Sequence, residues 1–341
     1  MEDKFEEFYE QYLSKIDKYY ETFNARKSKD IKICTIFICL MFAILIFCIV
    51  RMRQLLTIPL GYFIMFILVV LVMCGLGIIK RLKSQMYEIN KNIIEDIVRY
   101  ISKDNDAVYE PNKRISKDDI KNMEVFNLES LQYNGSNSIS TLYKNNYMSF
   151  GDMELYYFKE KLVEEVEHDS EGKEYTNTKI EKIKKYVFDG CYIGASLNKN
   201  IASQIYLIPN NISDGIINSK INEYIKYDGE KVELENLEFS KKYKVYCKDE
   251  IQARYILSLK FMENINKIDS IFDGKKYIVF KEGKRFAICI QDFKIEDIRK
   301  ATLPIIRNEQ KVKSTIEYMY KNLNRLFKVY EILELNNDLF E

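Results

Sequence analysis

Two uninterrupted apolar runs, residues 33–50 and 58–79, stand seven residues apart near the start of the chain, and mixed sequence follows to the end. At about 1.5 Å per residue each is long enough for a bilayer's hydrocarbon core, where backbone amides are satisfied only in a helix or a closed barrel. The pattern predicts a transmembrane hairpin. Thr57 and Pro59 supply a cap and a first-turn proline for its second helix. Arg26, Lys27, Lys29 and Lys32 precede the first run and Lys80, Arg81 and Lys83 follow the second, against Arg51 and Arg53 between them. This asymmetry predicts both termini on the cytoplasmic side, with the lipid bilayer as a partner.

The polar flanks keep a helical period. Phe5, Tyr9, Tyr12, Ile16, Tyr19 and Phe23 recur at spacings of 4 and 3 before the first run, and Leu82, Met86, Ile89, Ile93, Ile97 and Tyr100 do nearly the same after the second. Each membrane helix is expected to continue inward, and the two extensions to pack as a stalk roughly 30 Å long. A membrane-surface helix at the N-terminus fits less well, because residues 1–32 carry eight acidic and seven basic residues rather than a lysine-rich rim.

Beyond the stalk the period shifts toward strands. Residues 109–126 read as a linker with Pro111 and then a short helix begun by Ser116 and Asp119, and the Asn/Ser-rich stretch 133–146 has no helical period. Met153, Leu155 and Tyr157 alternate, as do Tyr186 and Phe188, around an acidic loop, which predicts a long hairpin. Residues 204–209 and 242–247 read as short strands, and 277–280 and 285–290 flank a tight turn at Gly283. Two helices are expected. One spans 249 to about 268, with Ile251, Tyr255, Leu259, Met262 and Ile265 on one face; the other spans 308 to about 335, with Val312, Ile316, Met319, Leu323, Leu326, Tyr330 and Leu333 in heptad spacing. Tyr320 and Phe327 widen this last stripe, which favours packing on the chain's own sheet. The expected fold class is α+β: residues 1–103 form the stalk and transmembrane hairpin, and residues 104–341 an antiparallel α+β domain closed by the long C-terminal helix.

Composition narrows the function classes. Residues 104–341 hold 37 Lys and Arg against 40 Asp and Glu, a balance of −3 with no basic footprint for nucleic acid. The seven cysteines show no metal-ligand or redox spacing, and Cys191, Cys247 and Cys289, dispersed beyond the spans, suit a reducing compartment. His168 is the only histidine, set in an acidic, turn-forming stretch, so histidine-based triads and metal clusters have little to build on. Glycines read as isolated turn residues, which excludes a phosphate cradle. No cofactor or metal is expected. The densest polar signal is 247–255, CKDEIQARY. A helix N-terminus there offers amides to an anion with Arg254 one turn in, but Asp249 caps those amides itself and Glu250 pairs with Arg254.

The segments YEPNKRISKDDIKNMEVF, FDGCYIGASLNKN, VELENLEFSKKYKVYCKDEIQARYILSLKFMENI and YEILELNNDLF resemble successive blocks of the bacterial domain-of-unknown-function family numbered 3137. The resemblance implies a bacterial envelope context, hence a multi-pass protein of the bacterial inner membrane. It implies that Glu238, Phe239, Asp249, Ala253, Arg254 and Tyr255 occupy family motif positions, and it carries no catalytic residue. Asp249, Arg254 and Tyr255 are the weak candidates for a site. The expected function is a membrane-tethered cytoplasmic binding or scaffolding module, its partner another protein or a second copy. The alternatives are an enzyme built on carboxylates without histidine or metal, and self-assembly through the C-terminal heptads.

Overall fold

Residues 33–50 lie in the helix α1 (Glu2–Arg51) and residues 60–79 in the helix α2 (Leu60–Ser102), each far longer than the apolar run. The computed structural model describes residues 2–51, 60–116, 119–120, 125–168, 174–210 and 227–333. The chain divides into two compact units, Met1–Ile97 with Ala301–Tyr320, and Val98–Lys300 with Lys321–Glu341.

In the first unit the polar halves of α1 and α2 pack together, as the stripes predict. Lys15 and Tyr19 both reach Asp96, the tyrosine hydroxyl donating at 2.9 Å, and Gln85 donates to Asp30 at 3.4 Å. The buried face is rotated slightly from the expected one. Phe8 and Tyr20 join Phe5, Ile16 and Phe23 inside, while Tyr9, Tyr12 and Tyr19 sit at its border. The rotation accommodates a third element, the first half of the terminal helix α7 (Glu309–Ile332) and the segment before it. Phe5 and Phe8 set their rings 5.6 and 5.5 Å from Tyr320, Tyr20 donates to the Pro304 carbonyl at 3.1 Å, and Arg307 pairs with Asp17 at 2.6 Å.

The transmembrane hairpin is not supported. Among the described residues no helix is long and apolar enough to cross a membrane. Of the predicted connector, residues 51–57, Arg51 closes α1 and the rest lies outside the described residues, as do many side chains of both runs. The multi-pass inner-membrane placement and the bilayer as a partner are withdrawn with the hairpin.

The second unit is built on an antiparallel sheet of nine strands among the described residues, in the order β1-β2-β3-β4-β9-β8-β5-β7-β6. These are β1 (Val108–Glu110), β2 (Gln132–Tyr143), β3 (Asn146–His168), β4 (Glu174–Ile201), β5 (Ile205–Pro209), β6 (Glu230–Val232), β7 (Tyr243–Cys247), β8 (Lys276–Lys281) and β9 (Gly283–Gln291). The predicted hairpins are present, and Gly283 takes φ +93° at the β8–β9 turn. The acidic stretch 164–168, read as loop, is instead strand paired with 174–178. Gly190 and Gly194 are likewise strand residues, not turn residues. A Cβ at Gly190 would lie 2.1 Å from the Ile290 carbonyl, so two backbones meet there.

The polar stretch from 133 onward, which shows no helical period, forms β2. It enters the sheet through a register shift between Ser136 and Ile139, with Asn137 buried at φ +56°. The segment 115–131 lays Ile115, Ile120, Val125, Phe126 and Leu131 over Leu155, Phe188, Tyr277 and Val279. Short helices complete the unit: α3 (Leu237–Lys242), α4 (Glu250–Ile256), α5 (Leu259–Ile271) and α6 (Ile295–Lys300). Phe261 of α5 sits 5.4 Å from Phe280, and Phe327 of α7 sits 5.1 Å from Phe150.

The single helix expected over 249–268 is two helices. Leu257 ends α4 and Ser258 caps α5, accepting from the Phe261 amide at 3.3 Å. The break turns the stripe: Ile251, Tyr255 and Leu259 face outward, and Ala253, Ile256, Leu257 and Phe261 are buried.

Candidate functional site

The residues singled out in the sequence lie at the start of α4. Asp249 is the N-cap and accepts from the Gln252 amide at 3.1 Å. The Arg254 guanidinium holds the Glu250 carboxylate at 2.7 and 3.1 Å. Tyr255 is half exposed, Ala253 is buried, Glu238 is exposed, and Phe239 is core, its ring 5.2 Å from Tyr243. These positions close a helix and fill a core. They do not converge on one point, and the Gln252 amide, one of those an anion could use, is taken by the Asp249 carboxylate.

A buried carboxylate that the sequence reading did not single out lies on β3. Asp152 accepts from the Ile295 and Glu296 amides at 2.6 and 2.8 Å, capping α6 across the chain, and from Asn137 Nδ2 at 2.6 Å. Asn137 Nδ2 also donates to Glu296 at 3.0 Å, and Asn137 Oδ1 accepts from the Tyr109 hydroxyl at 2.8 Å. Burial lifts the Asp152 carboxyl to about 6, against the lowering pull of Asn137 and the two amides. Burial also works on Glu296, but Arg299 and Asn137 bring its carboxyl below the usual range. The two carboxylates therefore differ in proton affinity, yet the polar groups around Asp152 are engaged with one another. The cluster is a structural lock on the bulge of β2. Its signal in the sequence is Asn134-Gly135-Ser136-Asn137, residue types that tolerate positive φ.

A groove of about 570 Å³ beside α3 and β8 is lined by Lys241, Lys242, Asp269 and Lys276 among others. Its buried charges are paired within the chain. The buried Lys276 ammonium donates to the Phe272 and Gly274 carbonyls at 2.8 and 3.1 Å and pairs with Asp269 at 3.1 Å, where Tyr243 also donates at 2.9 Å.

The third candidate is open. A cavity of about 260 Å³ lies on the sheet face formed by β3, β4, β9 and β8. Its floor follows from the two-residue period of strands: Ser149 pairs with Gly194, Gly194 with Ala287 and Ala287 with Val279, and one step along Ser196 pairs with Arg285 and Arg285 with Lys281. Glycine, alanine and serine across the centre leave the space that larger residues would fill. A Cβ at Gly194 would come within 2.5 Å of the Tyr192 hydroxyl and 2.8 Å of Ser149 Oγ. Tyr147 and Tyr192 supply aromatic walls, and Lys281 and Arg285 stand together at the turn end. Asp119, whose carboxylate accepts from Ser116 at 2.7 Å, is the cavity's carboxylate. Burial pushes the Tyr192 hydroxyl well above its ordinary value, so it stays a neutral hydrogen-bonding group at physiological pH. With two cations against one anion, apolar walls and hydroxyls, the arrangement can hold a small anionic group. It holds no second carboxylate for acid–base work among the described residues.

A family model described as "Protein of unknown function (DUF3137)" matches residues 186–335, which include β9 and most of β4. No curated protein matches the chain. Among solved structures, the crystal structure of the mycobacterial trehalose monomycolate transport factor A, TtfA, is similar over 68% of this chain and 95% of its own, at 8% identity and a TM-score of 0.33. A likeness that weak transfers neither fold nor function.

Proposed function

We propose that the chain is a binding module whose sheet-face cavity receives an anionic group carried on a small apolar body. The observation that carries this reading is the small-residue floor of Ser149, Gly194, Ser196 and Ala287 beside the paired cations Lys281 and Arg285. The volume lies just below the roughly 300–1,000 Å³ typical of ligand pockets, so the occupant is a small molecule or one side group of a larger one. Binding rather than turnover is supported by Asp119 standing as the one carboxylate of the cavity among the described residues, and by the mutual pairing within the Asp152 and Asp269 clusters.

The test is calorimetric titration of the full chain with benzoate and phenyl phosphate, and with benzyl alcohol as the neutral analogue. The anions are expected to bind and the alcohol at least tenfold more weakly. Replacing Lys281 and Arg285 together by Glu should reduce anion affinity by at least tenfold without changing the melting temperature. Equal binding of the alcohol, or an unchanged affinity in the double variant, would sink the proposal.

A further inference from the structure

The rows of side chains that cross the cavity's face of the sheet differ in kind. At the turn end stand Arg285 and Lys281; two residues along, Gly194 lies between Ser149 and Ala287; two further along stands Tyr192. Successive rows are about 7 Å apart, the rise of two strand residues. Tyr192 does not stay in its own row. A Cβ at Gly194 would fall 2.5 Å from the Tyr192 hydroxyl, 2.9 Å from its Cε1 and 2.8 Å from Ser149 Oγ. The tyrosine ring therefore leans over Gly194, along a path that any side chain at 194 would block.

The Tyr192 and Ser149 hydroxyls are hydrogen-bonded to each other, and both residues are buried. In such a pair one O–H donates to the other oxygen, which leaves one hydrogen and further lone pairs for a third group. Burial keeps Tyr192 neutral, and the charge of Asp119, another residue of the cavity, acts in the same direction. An anionic group at this end would meet the Asp119 charge. A neutral hydroxyl would not be repelled, and it can both accept from the pair and donate.

We infer that the ligand of this cavity is a hydroxy acid about one benzene ring long, its anionic group at Lys281 and Arg285 and its hydroxyl on the Tyr192–Ser149 pair. This rests on the reading of the cavity as an anion-binding site and adds the chemistry of the opposite end. A ligand apolar at that end would cover two hydroxyls without satisfying them, which is costly. Gly194 sets the specificity, because it admits the Tyr192 hydroxyl to the floor.

The test is calorimetric titration of the full chain with 4-hydroxybenzoate and 4-methylbenzoate, acids of equal charge and nearly equal size. The hydroxy acid is expected to bind at least tenfold more tightly. Tyr192→Phe alone should narrow that gap, and Tyr192→Phe with Ser149→Ala should close it without weakening the methyl acid, whose retained binding reports an intact site. A gap that survives both variants overturns the inference. Two acids that bind the wild-type chain equally, and both weaken in Lys281→Glu with Arg285→Glu, overturn it while leaving the anion site standing. Binding of neither acid overturns both.

Discussion

At the scale of single residues, the most consequential side chain is Asp152, because a buried carboxylate is tolerated only where donors meet it. Its three donors come from β2 and α6, elements separated by some 150 residues of sequence in round terms. Burial raises its folded value to about 6, against 3.8 for an ordinary aspartate. Between those values the folded chain holds a proton that the unfolded chain has lost, so this group's contribution to stability falls as pH rises through the window, by roughly 3 kcal/mol in all. Asp152→Asn removes the titration. Its destabilisation relative to wild type, measured by urea unfolding, should therefore be larger at pH 4 than at pH 7, and a penalty equal at both would exclude the raised value. Gly190 is a second such position. With the Ile290 carbonyl 2.1 Å from where a Cβ would stand, Gly190→Ala must push β4 from β9. A loss of about 1–3 kcal/mol is expected in thermal unfolding.

At the scale of elements, legibility followed periodicity. β8, β9, β5 and β7 were readable because short alternating runs were bounded by turn residues, and α7 because its stripe is buried where predicted: Val312, Ile316, Met319, Leu323, Leu326, Tyr330 and Leu333. β2 was not, since QYNGSNSISTLY has neither period; its place is set by pairing with β3 and by the Asn137 lock, both long-range. The helix break at Ser258 was hidden by a stripe that continues through it in sequence. Ser258→Ala tests that break: losing the cap to the Phe261 amide should cost about 1 kcal/mol, read as a lower unfolding midpoint, whereas a continuous helix would tolerate the change. The candidate cavity was less legible still. Its floor is assembled from residues 149, 194, 196, 285 and 287 on three strands, and no local window shows that Gly194 and Ala287 are neighbours. By contrast, the conspicuous CKDEIQARY block contributes a helix cap at Asp249 and an ion pair between Glu250 and Arg254, because a helix start uses polar residues whether or not anything binds there.

At the scale of the whole molecule, the division of α7 between the two units has energetic content. Its residues up to Tyr320 belong with α1 and α2, and those from Lys321 onward with the sheet unit. Each half buries its own apolar set, Val312, Ile316, Met319 and Tyr320 in one, Leu323, Leu326, Phe327 and Tyr330 in the other. Fully burying each such side chain contributes about 1.5–3 kcal/mol, so neither half depends on helix propensity alone, which is marginal for so short a segment. A fragment of residues 98–341 lacks Phe5, Phe8 and Tyr20, the partners of Tyr320 and Pro304. In that fragment amide exchange within 301–320 should accelerate at least a hundredfold and trypsin should cut first at Lys311 or Lys313, while 321–332 keeps the protection it has in the full chain. If 321–332 loosens equally, α7 melts as one cooperative helix, and the division marks geometry without marking stability. If only the first half loosens, the helix is held by two separate cores, and the unmatched apolar face left on 301–320 accounts for any aggregation of the truncated chain.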